Sequence, residues 1–246
     1  MKIFHKNYCN KYGNKYSALA ALVLLLSQPC LAEQNNNLVV TGLQLASKST
    51  YAFATAIVPF SDAKLGQGWY QKAGLSWMRY RYDGTLNGNS SEVIATAPGV
   101  EAGMGHMWNT EKSGLDLSAT VGYRNIGISP FVPAGDRDGN VFTLNPQVQA
   151  RHQLSTTTDA DLLANYAIGM HSSFVRTRLG WKPVAGWRTG VEGIWQDGKN
   201  YHVTQQGLFL MKTLASGMTL EINAGQAKPE NESAKTYIGF TVSSTY

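Results

Sequence analysis

The chain has 246 residues, of which 43% are apolar and 15% charged, with 21 basic and 16 acidic side chains. Its formal charge of +5 is concentrated at one end: without Lys2, Lys6, Lys11 and Lys15, 17 basic residues face 16 acidic ones. A near-neutral remainder argues against nucleic acid as a partner. Both cysteines, Cys9 and Cys30, lie in that early segment, which leaves the rest without thiol chemistry.

Residues 1–32 read as a secretory signal peptide. A basic stretch precedes the apolar run Ala18 to Leu26, and small residues follow at Cys30 and Ala32. The run is too short to cross a bilayer as a helix, which needs about 20 apolar residues. Cleavage is expected after Ala32, leaving 33–246 as one exported domain. An exported, cysteine-free, Gly- and Tyr-rich domain without apolar helices is a periplasmic β-sandwich or an outer-membrane β-barrel.

The next signal is alternation with a period of two. In "LDLSATVGYRN", Leu115, Leu117, Ala119, Val121 and Tyr123 share one face, and Asp116, Ser118, Thr120, Gly122 and Arg124 share the other. "VFTLNPQVQARHQL", "GMTLEINAGQ" and the terminal "KTYIGFTVSSTY" repeat it. Segments of about ten residues, apolar toward lipid and polar toward a lumen, are the mark of a transmembrane barrel strand. About twelve strands are expected, near 38–47, 50–60, 69–82, 92–108, 115–127, 140–154, 160–170, 174–182, 187–196, 201–212, 217–227 and 235–246; ten is the alternative count. The fold class is therefore all-β, an antiparallel transmembrane β-barrel. A sandwich also alternates, but polar faces rich in Gly, Ser, Thr, Gln and Arg, with aromatics at strand ends, favour the barrel.

With both termini in the periplasm, the longest polar connections fall outside the cell. The connection "SDAKLGQG" is long for a periplasmic turn. Trp108, Trp181, Trp187 and Tyr246 fall on the lipid-facing phase at periplasmic strand ends, and Tyr123, Phe142 and Trp195 at outer ends. They are candidate membrane-interface aromatics, with outer-membrane lipid as their partner. Pro98 and Pro146 lie inside predicted strands and are expected at bulges or strand ends.

The lumenal phase carries Glu101, Asp116, Arg124, Arg151, Arg176, Arg178, Arg188, Glu192, Lys212 and Glu221. They are candidate lumen-lining residues, either a polar conduit or a set of mutually paired ions. Tyr80 and Tyr82 share a face leading into a loop, and such rings can stack on sugars. His171 and Ser173, with Glu192, could form a hydrolytic triad. The His-x-Ser pair is similar to that of lipid A deacylases, although Phe174 stands where that family has Asn. No metal-ligand spacing occurs and no cofactor motif is present, so neither a metal nor a cofactor is expected.

Several stretches follow one another in order along nearly the whole expected mature chain: "STYAFATAIVPF", "GWYQKAGLSWMRYRYDG", "GVEAGMGHMW", "YRNIGISP", "FVRTRLGWKP" and the closing glycine- and tyrosine-bearing strand. With them the sequence resembles the cellulose biosynthesis protein BcsS family, although His106 and Met107 stand where that family often has Tyr and Gln. The resemblance implies a non-catalytic outer-membrane accessory protein of cellulose, or exopolysaccharide, biosynthesis and export. Its implied partners are a cellulose chain and the cellulose synthase and export complex. A lipid-modifying enzyme and a small-solute porin are the alternatives.

Overall fold

A computed structural model describes residues 37–86, 89–130, 138–199, 201–230 and 232–246. The expected signal peptide lies outside the described residues. The described chain forms twelve antiparallel strands: β1 (Leu38–Ala46), β2 (Ser49–Pro59), β3 (Gln67–Leu86), β4 (Asn89–Asn109), β5 (Ser113–Ser129), β6 (Gly139–Gln153), β7 (Thr158–Ala167), β8 (Ser172–Trp181), β9 (Trp187–Gly198), β10 (Tyr201–Thr213), β11 (Thr219–Pro229) and β12 (Lys235–Thr245). Each pairs with its neighbours in sequence, and β1 closes on β12 into a barrel. The seam runs from Leu38↔Thr245 to Ala46↔Tyr237. Beyond it Asn37 and Tyr246 exchange both backbone hydrogen bonds at 3.0 Å. The alternation therefore persists to the chain's end because the last strand is an interior strand of a closed sheet.

Alternation separates two chemistries across one backbone. On β10, Leu208 is 65% exposed and its neighbour Phe209 is 2% exposed. Phe142 is 76% exposed, and Val100, Met104, Val121, Ile222 and Phe240 stand out on the same surface. The inner face carries instead the polar side chains described below. A continuous apolar outer band is costly in water and stable in hydrocarbon, so this is a barrel of the outer membrane.

The strands differ in length. β3 and β4 have 20 and 21 residues, about twice what a bilayer requires, whereas β1 has 9. The β3–β4 hairpin and β5 therefore rise beyond the apolar band at the end opposite the termini.

Two expectations need correction. Pro98 and Pro146 occupy neither bulges nor strand ends. The β4–β5 pairing skips Ala97 and Pro98, yet Thr96↔Gly127 and Gly99↔Arg124 keep one register. Pro146 pairs with Ala119 on one side, while the continuous β6–β7 ladder starts only at Gln147↔Asn165. Each ring removes a donor toward one neighbour, and the sheet tolerates a gap in a single ladder. The connection between β2 and β3 is long because it folds on itself: Phe60 N–H donates to Trp69 O at 3.0 Å, and Ala63 N–H to Phe60 O at 2.8 Å. Gly66, at φ +93°, supplies the left-handed turn.

Candidate functional site: the barrel lumen

The lumen has two unlike walls. On β7–β12, Arg178 is the hub. Its Nε donates to Glu192 Oε2 at 2.9 Å, and its two terminal nitrogens grip Glu221 at 2.9 and 2.5 Å. Glu192 Oε1 also accepts from Asn223 at 2.6 Å and from the Tyr237 hydroxyl at 2.8 Å. One layer nearer the termini, Arg188 donates to Asp159 at 2.7 Å and to Asp161 at 2.5 Å. Arg151 and Lys182 reach Asp159 from the other side at 2.5 and 3.0 Å. Phe209 lies between the layers, with Arg178 4.6 Å and Arg188 4.9 Å from its ring centroid. Asp159 is fully buried and Glu192 nearly so. Buried carboxylates require this saturation, because an unpaired charge away from water costs several kcal/mol.

The wall of β1–β6 carries fewer ions. Lys72 lies 3.9 Å from Glu101, which accepts from Thr120 at 3.0 Å and Asn145 at 3.4 Å. Tyr70 donates to Asp116 at 2.5 Å. Arg124 donates to the Ser76 hydroxyl at 3.1 Å and forms no ion pair among the described residues. Arg176, beside the Arg178 hub, has a buried Nε with no hydrogen-bond partner there.

Glycines make room for two of these tyrosines. Tyr70 pairs with Gly105, where an added Cβ would overlap the phenol and come within 2.7 Å of Ser118 Cβ. Tyr237 pairs with Gly225 and reaches past it over Gly207, two strands away, on its path to Glu192. A ring laid across a glycine of the next strand covers the bare backbone and fixes the register.

The predicted lumenal residues Glu101, Asp116, Arg124, Arg151, Arg176, Arg178, Arg188, Glu192 and Glu221 all fall on the inner face. Lys212 does not. It shares the phase of Leu208 and Leu210, and its Nζ sits 4.7 Å over the Trp187 ring on the outside. A lysine at a strand end can run its stem along the apolar surface and lift its charge to the interface. Asp159 and Asp161 were not anticipated. Starting β7 at 160 leaves Asp159 in a connection, and Asp161 then has no visible partner. The alternation with Leu163 and Asn165 was the available signal.

The predicted interface aromatics lie on the outer face. Trp108, Trp181 and Trp187 are exposed near the end that holds the termini, and Tyr123 and Trp195 lie toward the other. Trp195 donates to His202 at 3.1 Å, and the Tyr123 hydroxyl to Asn140 at 2.7 Å. His106 extends the first group, with its ring centroid 4.1 Å from Trp108 and 5.0 Å from Trp69.

The triad candidate does not assemble. His171 occupies the β7–β8 turn with φ +52°. Ser173 pairs with Asp197, while Glu192 stands opposite Arg178. That is five residues along the strand, about 17 Å away at 3.4 Å per residue. Glu192 is also committed to the arginine hub.

The sequence profile of the family described as cellulose biosynthesis protein BcsS matches residues 38–246, the entire barrel. The chain belongs to this family. Comparison with curated proteins found no significant match. Among solved structures, the BcsS-family barrel is similar to the KdgM porin in complex with disordered oligogalacturonate. The TM-score is 0.53 at 7% identity, covering 85% of this chain and 99% of that one. It is also similar to the COG4313 outer membrane channel from Pseudomonas putida F1, with TM-score 0.52, 10% identity and coverage of 89% and 100%. The translocator domain of the autotransporter NalP from Neisseria meningitidis gives 0.51 at 10% identity, with 94% of each chain covered. At such identities the likeness concerns the fold, that of outer-membrane barrels.

Proposed function

We propose that this BcsS-family barrel is a non-catalytic accessory of cellulose secretion, acting in the outer membrane as a passage or docking element for the export machinery. One observation carries the reading: the family profile spans the whole barrel. The state of the lumenal charges supports it. The lumenal acids of β7–β12, Asp159, Asp161, Glu192 and Glu221, are bound to arginines and a lysine, which leaves none of the four poised for acid–base work. In this reading the termini face the periplasm, the long β3–β4 hairpin faces outward, and the outer tryptophans and tyrosines meet lipid headgroups.

A clean deletion tests it. The expected result is loss of cell-bound, cellulase-sensitive material with synthase activity retained in isolated membranes. Unchanged extracellular cellulose would remove the reading. The likeness to channels supports a second reading, a small-solute porin, which requires stepwise conductance of the purified barrel in planar bilayers and normal cellulose in the deletion strain.

A further inference from the structure

The inner faces of β2 and β3 form a surface that the paired wall lacks. Tyr51 and Phe53 point into the lumen on β2, and Tyr80 and Tyr82 on β3. The register sets Phe53 opposite Ser76, Tyr51 opposite Met78, and Ser49 opposite Tyr80. Phe53, Tyr51, Tyr80 and Tyr82 thus occupy four successive inward levels, from mid-barrel into the protruding hairpin. Steps of two residues at 3.4 Å each separate the levels by roughly 7 Å.

The rings pack against the wall and, in pairs, against one another. A Cβ added at Gly42, the cross-strand partner of Phe53, would overlap the Phe53 ring, so this ring covers the bare backbone of β1. Tyr51 stacks on Phe53, with 23° between the ring planes and centroids 5.7 Å apart, so the two form one continuous aromatic step. Tyr80 and Tyr82 repeat the arrangement at 27° and 5.9 Å. The cross-strand partners of Tyr82 and Tyr80 are Val93 and Ala95, both fully buried. Tyr51 itself is 36% exposed.

Hydrogen-bond donors stand beside the rings. Arg124 is anchored to Ser76, the partner of Phe53. Having no acid partner among the described residues, it keeps donors for a ligand.

We propose that Phe53, Tyr51, Tyr80 and Tyr82, with Arg124, form a track that binds an extended β-linked glucan chain. The chemistry matches on both counts. In a β-linked glucan the hydroxyls are equatorial, so each sugar has two flat faces of C–H groups and a polar edge. Aromatic surface repeated at successive levels packs against these faces, and a guanidinium donates to the edge. A long stack of levels suits a chain better than a single solute. The inference rests on the cellulose reading and gives it a site.

The test uses the purified full barrel in lipid bilayers or detergent, with cellohexaose as probe and maltohexaose as the helically coiled control. Wild type should bind cellohexaose and discriminate against maltohexaose. Tyr51→Ala with Phe53→Ala should weaken cellohexaose binding about tenfold or more. Tyr51→Phe, which keeps the ring, should bind as wild type does, and Arg124→Gln should weaken binding while leaving the discrimination intact. Heat-modifiable migration on gels checks that each variant is a folded barrel. Equal binding by wild type and a folded Tyr51→Ala variant overturns the track, as does wild type that binds no cellohexaose. If the deletion abolishes extracellular cellulose while cellohexaose does not bind, the secretion role stands and the track falls. If cellohexaose binds and cellulose is unchanged in the deletion strain, the secretion role falls alone.

Discussion

The two lumenal walls meet the same constraint by opposite means. The β7–β12 wall carries four acids, Asp159, Asp161, Glu192 and Glu221, each held by arginine. The β2–β3 wall carries instead the stacked rings of Phe53 and Tyr51 and of Tyr80 and Tyr82, an apolar surface beside few charges. Charge in a narrow lumen must be matched by charge, and a matched wall has little left to offer a ligand. One side thus fixes the barrel, and the other is the side we propose for a sugar chain.

The largest expected effect is on the fixed side. Arg178→Ala leaves Glu192 and Glu221 without their shared guanidinium and should cost about 3–5 kcal/mol in urea unfolding of the reconstituted barrel. Replacing all three, with Arg178→Met, Glu192→Gln and Glu221→Gln, should recover most of that loss. Tyr51→Ala, at a half-exposed ring, should cost no more than about 1–2 kcal/mol. Equal losses for Arg178→Ala and Tyr51→Ala would erase the distinction between the walls.

Gly207→Ala comes next. Its Cβ would meet Ala224 O at 2.5 Å and overlap the Tyr237 hydroxyl. Overpacking of this kind costs about 1–3 kcal/mol, and displacement of Tyr237 also removes a hydrogen bond from Glu192. A smaller effect sharpens the placement of Lys212. If it covers Trp187 on the outside, Lys212→Ala should cost about 0.5–1 kcal/mol and leave any ion selectivity of the lumen unchanged. A shift in selectivity would return Lys212 to the inner face.

Much of the fold was legible because a barrel strand writes its environment into every second residue. Leu115 to Tyr123 on one phase and Asp116 to Arg124 on the other announce a sheet with lipid on one side. Residues at strand ends were less legible. Lys212 follows Leu210 in phase, but a lysine near a polar turn looks lumenal until its strand is placed. Asp159 was hidden because strand starts are uncertain by a few residues. The pairing itself was not legible at all: Arg178 meets Glu221 across a separation of 43 residues, through a register that only the closed sheet defines. The rings of β2 and β3 were visible singly. Their alignment on four levels required the Ser49↔Tyr80 register.

The smallest expected effect lies where the two walls join. At the end opposite the termini, Lys48 in the β1–β2 turn reaches Glu232 and Asp83, each at 3.3 Å, and Lys235 also contacts Glu232. These contacts clasp the β11–β12 connection to the β1–β2 turn across the closing seam. The hydrogen bond from Lys235, then that from Lys48, hold the Glu232 carboxyl below its usual range. The bond to Glu232 raises Lys48 in turn. A depressed carboxylate contributes stability above its unfolded value and loses it as pH falls through the folded one. A raised lysine contributes below its unfolded value and loses it as pH rises through the folded one. The clasp is therefore complete at neutral pH and opens at both extremes. Because these groups are exposed, salt and water screen the effect to a small one. Hydrogen exchange of the β1 and β12 amides should show slightly weaker protection in Glu232→Gln than in wild type at pH 7, and equal protection once the pH is below the carboxylate range. A difference that persists in acid would mean that Glu232 acts by packing, and that the seam is held by its backbone ladder alone.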